Sequence, residues 1–162
     1  MSNIMGTAFK YLERRQMTAF QLETKLKAKG FEPEEIEETL LKLKSWNYVN
    51  DDNYAREYCR IKSDKYSRMF IRFELLKSGI DKEIVELVLN QMYSEEKELE
   101  NCKRIACQIF SEEANKWEKK YKNQKTYQNI PREILLKKKT GEKLLKKGYN
   151  YSIVKRVCEF IN

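Results

Sequence analysis

Three stretches of this chain repeat one pattern, and the pattern constrains the fold more than any other feature. They read LKAKGFEPEEIEETL (26–40), LLKSGIDKEIVELVL (75–89) and LLKKGYNYSIVKRVC (144–158). Aligned on Gly30, Gly79 and Gly148, each carries a leucine four residues before the glycine: Leu26, Leu75 and Leu144. Each has an apolar residue one position after it (Phe31, Ile80, Tyr149) and a β-branched one six positions after it (Ile36, Val85, Val154). A helix ending at such a point needs a residue with positive φ, which glycine adopts without a Cβ clash. The apolar side chain that follows can then fold back on the finished helix. Asp81 and Asn150 read as N-caps of the next helix, and Pro33 suits a first helical position, where its missing N–H costs nothing.

The helices after the turns keep apolar residues at helical spacing. They are Ile36, Leu40 and Leu43; Ile84, Val85, Val88, Leu89 and Met92; and Ile153, Val154, Val157 and Ile161. A further helix is expected before each pair. In the first copy it is AFKYLERRQ, with Thr18 and Gln21 fitting a capping box for the helix that follows. In the second, Tyr54, Tyr58 and Ile61 share a face, and Ser67 suits a cap. In the third, an amphipathic run from Ser94 to about Tyr121 carries a stripe of Leu99, Cys102, Ala106, Ile109, Phe110, Trp117 and Tyr121. These aromatic stripes read as core.

The expected architecture is all-α: three tandem three-helix repeats over 1–47, 48–93 and 94–162, stacked into an elongated, curved, solenoid-like body. Repeats of this size cannot bury both faces alone and stack on neighbours. The third copy departs from the pattern. Its glycine lies 69 residues beyond Gly79, against 49 between the first two. The extra length is polar and lysine-rich, and Thr140 and Gly141 stand where the earlier copies have Leu22/Ile71 and Glu23/Arg72.

The function classes narrow by what the chain lacks. It has no histidine, which removes the commonest acid–base catalyst. It has no GxxxxGK[ST] or GxGxxG loop to cradle phosphates. Its four cysteines, Cys59, Cys102, Cys107 and Cys158, include no CxxC pair, so buried reduced thiols are expected and not a zinc site. The paired carboxylates Glu34–Glu35, Glu37–Glu38 and Glu95–Glu96 fall at helix starts or solvated faces, where they complement the dipole. The expectation is a protein that is not an enzyme and needs no cofactor or metal. No apolar run approaches the ~20 residues that span a bilayer, and the N-terminal residues lack a signal-peptide core, so a cytoplasmic chain without membrane contact is expected.

The net charge of +8 is unevenly placed. Residues 1–115 hold 19 basic and 21 acidic side chains, whereas 116–162 hold 14 and 4. That asymmetry points to a polyanionic partner near the C-terminal end, with Lys137, Lys138, Lys139, Lys146 and Lys147 in reach of it. Weak, sequence-independent binding to single- and double-stranded DNA follows, since no base-reading motif accompanies the charge.

Several linked segments together resemble the RecX family of RecA regulators. They are YLERRQMTAFQLETKLKAKGFEPEEIEETLLKL, YVNDDNYAREYCR, ELLKSGIDKEIVELVL and LLKKGYNYSIVKRV, and the likeness is strongest over about residues 8–92. One departure lies in DKYSRMFIR (64–72), where the family usually has a glycine near Ser67; Lys65, Arg68 and Arg72 keep the basic character. The resemblance implies a right-handed or crescent-shaped stack of three-helix repeats. It implies binding, as a monomer, in the groove of the RecA–DNA filament, restraining strand exchange, ATP hydrolysis and co-protease activity. Arg56, Arg60, Lys65, Arg68 and Arg72 are then candidate contacts to filament or DNA, because Arg pairs bidentately with carboxylate and phosphate. Arg14 and Arg15 sit at a helix C-terminus, where cations are favoured in any case.

Two other readings stand beside it. A DNA-binding module independent of RecA, such as a transcription factor, would lay a polar recognition helix in the major groove. The segments EPEEIEETLLKL and DKEIVELVL are acidic, which argues against that role for two of the three post-turn helices. A helical-repeat adaptor using protein contacts alone has no need of the basic C-terminal third.

Overall fold

The structure, a computed structural model, describes residues 3–122 and 129–161, without the side chains of Lys120 and Tyr121. Among the described residues the chain forms nine α-helices and no strand. They are α1 (Ile4–Arg14), α2 (Ala19–Lys27), α3 (Pro33–Ser45), α4 (Asp51–Lys62), α5 (Arg68–Lys77), α6 (Lys82–Met92), α7 (Glu95–Lys116), α8 (Arg132–Lys146) and α9 (Tyr151–Phe160). A single π turn, Trp117–Tyr121, continues α7.

The helices run in threes along the chain, and a glycine turn joins the second to the third of each set. Gly30, Gly79 and Gly148 have φ of 82°, 78° and 86°. At each turn the residue after the glycine donates its N–H back to the leucine of the repeat pattern: Phe31 to Leu26, Ile80 to Leu75 and Tyr149 to Leu144, at 3.3–3.4 Å. Those bonds satisfy carbonyls that the ending helix leaves open. The leucines themselves are fully buried, as are Leu22, Ile71 and Thr140, the residues at one shared repeat position.

The caps start the helices largely where the side-chain chemistry places them. Asp81 Oδ1 accepts the Glu83 N–H at 2.7 Å, and Asn150 Oδ1 accepts the Ile153 N–H at 2.9 Å. Ser67 Oγ accepts from Phe70 N at 3.0 Å, and Ser94 Oγ from Lys97 N at 3.3 Å. Thr18 Oγ1 accepts the Gln21 N–H at 3.1 Å, but the expected reciprocal half of that capping box is missing. Gln21 Oε1 is buried without a partner among the described residues, and the N–H of the first helical residue, Ala19, goes to Asp51. The reciprocal box forms at α3, between Glu32 and Glu35.

Packing divides the described chain into two compact units: 1–61 with 72–92, and 62–71 with 93–162. The division falls inside α5, so chain order and packing do not coincide.

The first unit has Ala8, Leu22, Leu26, Ile36, Leu43 and Val49 at one core, covered by Phe9, Leu12, Phe31 and Leu40. The Thr18 hydroxyl donates to Ser78 O at 2.6 Å, tying the start of α2 to the end of α5. The second unit is built on Cys102, Ile105, Ala106, Ile109, Leu144, Tyr149, Val154, Val157 and Ile161. Its apolar residues thus come from α7, from α9 and the residue after it, from the end of α8 and from the turn between α8 and α9.

Three sequence expectations need correction. Cys107 is exposed, not a core thiol, because it lies on the solvent side of α7; Cys102, by contrast, is fully buried and its thiol is pushed up to about 12 by that burial. Ile61 is 51% exposed, although Tyr54 and Tyr58 of the same stripe are half-buried and stacked on each other. Tyr121, counted in the α7 stripe, lies outside the described side chains.

A basic groove as the candidate functional site

The ten basic residues singled out in the sequence separate into distinct environments. On α4, Arg56 Nε donates to Asp52 at 2.7 Å and Arg60 to Glu57 at 2.6 Å, both pairs one helical turn apart. Each guanidinium is bidentate on its carboxylate and is held above its usual range chiefly by that hydrogen bond. Arg72 pairs with Glu86 of α6. Arg68 turns its guanidinium inward to the Tyr93 carbonyl. On α8, half-buried Lys137 meets Glu133 at 2.9 Å, Lys138 is exposed and Lys139 half-buried. Only Lys65, Lys146 and Lys147 meet at one place.

That place is a groove of about 640 Å³ in the second unit. One wall is the α4–α5 connection at Asp64, Lys65 and Tyr66. The floor is the face of α7 that carries Arg104, Gln108 and Glu112 beside Ile105 and Ile109. The other wall is the last turn of α8, with Lys143, Lys146 and Lys147. Residues 104, 108 and 112 lie one turn apart, as do 143 and 147, so helical spacing alone puts each set in one row.

The connection is held by several independent bonds. The Ser67 N–H donates to Lys147 O at 3.1 Å. Asn101 Nδ2 donates to Ser63 O at 3.1 Å, and Arg104 Nη2 to Asp64 O at 2.8 Å. The fully buried Tyr93 donates its hydroxyl to Tyr66 O at 3.0 Å. Glu98, a buried carboxyl, accepts the Arg68 N–H at 2.8 Å and so serves the first turn of α5. Burial pushes the Glu98 carboxyl above its usual range, and the Arg68 N–H and charge offset only part of that. Gly148 is required here: a Cβ on it would stand 2.7 Å from Ser67 Oγ and 2.8 Å from Phe70 Cβ.

Electrostatically the groove is lopsided. Five cations line it against two carboxylates, Asp64 and Glu112. Lys143 reaches the buried Glu113 at 2.7 Å, and Lys116 reaches the same oxygen at 3.0 Å. Burial works to raise the Glu113 carboxyl, but the bonds and charges of the two lysines outweigh it and hold it below the usual range. Lys147 Nζ lies 5.2 Å from the centre of the Tyr66 ring and Lys62 Nζ 5.7 Å from it, while Phe70 stacks on that ring at 4.2 Å. Among the described residues, Lys65, Lys146 and Lys147 make no ion pair with a carboxylate.

Sequence reasoning missed Arg104, Lys143 and Tyr66. The α8 row was open to helical spacing, but nothing local joins Tyr66 to a lysine at 147. Among the described residues, no group of three His, Cys, Asp or Glu side chains stands in position to hold a metal ion. No helix among them is long and apolar enough to cross a membrane.

Two family models match: the first three-helix domain of RecX over residues 5–43 and the second over residues 50–89. A regulatory protein RecX of Caldanaerobacter subterraneus subsp. tengcongensis is 48% identical over 99 residues, covering 60% of this chain and 50% of the relative. This chain therefore spans about half of that relative's length. A regulatory protein RecX of Clostridium perfringens is 30% identical over 156 residues, 94% of this chain and 67% of the relative. The crystal structure of RecX from Lactobacillus salivarius superposes with a TM-score of 0.72 at 23% identity, covering 96% of this chain and 92% of that one, a likeness of fold.

Proposed function

The chain belongs to the RecX family, and on that premise we propose that it is a non-enzymatic regulator that binds the groove of the RecA–DNA filament and restrains recombinase activity, ATP hydrolysis and co-protease function. The observation that carries this reading is the match of both three-helix family domains across α1 to α6. The basic groove supports it from a second direction. A filament modulator works by differential binding to one state of its target, so it needs recognition surface and no reacting group. Uncompensated lysines beside a filament that carries DNA supply long-range attraction and a phosphate contact, without reading sequence. The paired arginines of the first unit fit a different role. Each is already matched by a carboxylate and can exchange that partner for one on a protein surface.

The test is RecA-catalysed ATP hydrolysis on single-stranded DNA, with this protein added from sub-stoichiometric amounts upward. Suppressed hydrolysis and strand exchange at ratios well below one per RecA protomer are the expected result. Unchanged rates in the presence of excess protein would sink the reading.

A further inference from the structure

We propose that the groove of the second unit seats the backbone of single-stranded nucleic acid, with Lys65, Lys146 and Lys147 as its phosphate contacts. The inference deepens the regulator reading and rests on it for its setting, but its geometry is its own.

The first argument is convergence of like charge. Ammonium groups repel one another, and a folded protein ordinarily spreads them or interleaves carboxylates. Here Lys147 and Lys62 gather at one ring, Tyr66, and Lys65 and Lys146 stand beside them. Phe70 stacks on the ring, and the Tyr93 hydroxyl holds the Tyr66 backbone carbonyl. The ring face therefore attracts Lys147 and Lys62 before any anion arrives. Preorganising the donors cuts the ordering cost of binding.

The second argument is the kind of cation. Arginine's planar fork pairs with carboxylate and phosphate alike, whereas lysine binds phosphate as a point charge. The single arginine in the groove, Arg104, is occupied by Asp64, at the carbonyl and at the carboxylate 3.9 Å away. The cations left without a carboxylate are lysines. Point charges of this kind accept a run of phosphates without demanding a fixed bidentate geometry.

The third argument is size. A volume of about 640 Å³ lies within the ~300–1,000 Å³ of small-ligand clefts, room for a short run of one strand. The apolar floor at Ile105 and Ile109 can meet a sugar or the face of a base.

The experiment is fluorescence anisotropy of a labelled oligothymidylate with the full chain, without RecA, over a range of salt. The test variant is Lys65→Ala/Lys146→Ala/Lys147→Ala. The control is Lys10→Ala/Lys42→Ala/Lys44→Ala, which removes equal charge from exposed sites of the first unit. Circular dichroism melting confirms that both fold. The expected result is an affinity loss of roughly tenfold or more in the test variant, with its salt slope flattened by about 2, or ~0.7 for each phosphate that is no longer neutralised. The control should keep the wild-type slope. Tyr66→Phe should bind like wild type and Tyr66→Leu should not, because phenylalanine keeps the ring that gathers the lysines.

Equal loss in test and control variants would overturn the proposal, as would polyglutamate displacing the strand as readily as unlabelled oligothymidylate does. A duplex that competes as well as the strand would overturn its single-strand form. These outcomes are separable from failure of the regulator reading. A wild-type chain that binds the strand through these lysines yet leaves RecA hydrolysis unchanged keeps the groove and loses the regulator. The reverse pattern does the opposite.

Discussion

The two compact units use the same helix–glycine–helix element but handle charge in opposite ways. The first holds 13 basic and 14 acidic side chains, and three of its five arginines are matched at close range: Arg56 by Asp52, Arg60 by Glu57 and Arg72 by Glu86. The second holds 20 and 11, and five cations line its groove against two carboxylates. A matched surface contributes little field beyond a Debye length, whereas an unmatched one steers an anion and loses that power in salt. The difference teaches that the repeat is a scaffold on which charge is placed independently of the fold. Matched pairs suit contact with a protein surface, and unmatched lysines suit a phosphate backbone.

The largest effect is expected at the turns the units share, where the comparison is steric. A Cβ on Gly79 would lie 2.3 Å from both Cβ and Cγ of Phe20, and the Cβ cannot swing away because the backbone of α2 fixes it. Adding the strain of positive φ, Gly79→Val should cost about 3 kcal/mol or more in urea denaturation. Gly148→Val should cost nearly as much and also weaken strand binding, since its neighbours Ser67 and Phe70 hold the groove wall. Gly30 has no atom within 4 Å of that point, so Gly30→Ala should cost only about 1–2 kcal/mol from φ alone. Equal losses at all three positions would mean the turns differ less between repeats than these contacts require.

Next in size is Glu113→Gln, which should cost about 1–3 kcal/mol near pH 7 by leaving Lys143 and Lys116 without their buried carboxylate. The sign with pH follows from a folded-state carboxyl held below its unfolded value. Its contribution is complete above the ordinary carboxylate range and is lost as pH falls through it. Wild type and variant should therefore converge on acidification, and parallel curves down to acid pH would contradict this.

Glu98→Gln should be smaller, within about 1 kcal/mol, because an amide oxygen can still accept the Arg68 N–H. Its pH trend has the opposite sign. The Glu98 carboxyl is raised by burial, so the ionised form costs stability that is recovered as pH falls through the folded value and fully regained below the ordinary carboxylate value. The smallest effects belong to the matched surface. Arg56→Ala and Arg60→Ala should each leave the urea midpoint nearly where it is in wild type, as exposed pairs one turn apart usually do. A midpoint shift as large as that of Glu113→Gln at either would break the contrast between a contact surface and a structural one.

The repeat pattern was readable because each of its signals is local. Leu26, Gly30 and Phe31 lie within one turn and its exit, and the φ of a glycine turn depends on neighbours in the chain. The failures have the same explanation in reverse. Gln21 was expected to close a capping box, but its Oε1 makes no bond among the described residues, and Asp51, 32 residues from Ala19, accepts the N–H of that first helical residue. Ile61 shares a helical face with Tyr54 and Tyr58 yet stays exposed, because burial depends on what packs opposite the face. The sequence grouped Lys146 and Lys147 with Lys137–Lys139 and set Lys65 among the arginines, since helical spacing says which side chains share a row and not which rows meet.

The sequence by itself determined the class of fold, the three glycine turns, the order of helices and the excess of positive charge beyond residue 115. Each follows from spacing, composition or a single residue's conformational range. Tertiary structure decided that the packing boundary falls within α5 and that Ser67 docks on Lys147. It also decided that Lys65, Lys146 and Lys147 line one groove with Tyr66, Lys147 lying over its ring, while Arg56, Arg60 and Arg72 are paired with carboxylates. The physical reason is range. Backbone preference acts over a few residues, but electrostatic company is set by distance in space, and a bond between residues 67 and 147 brings together charges that no local pattern connects.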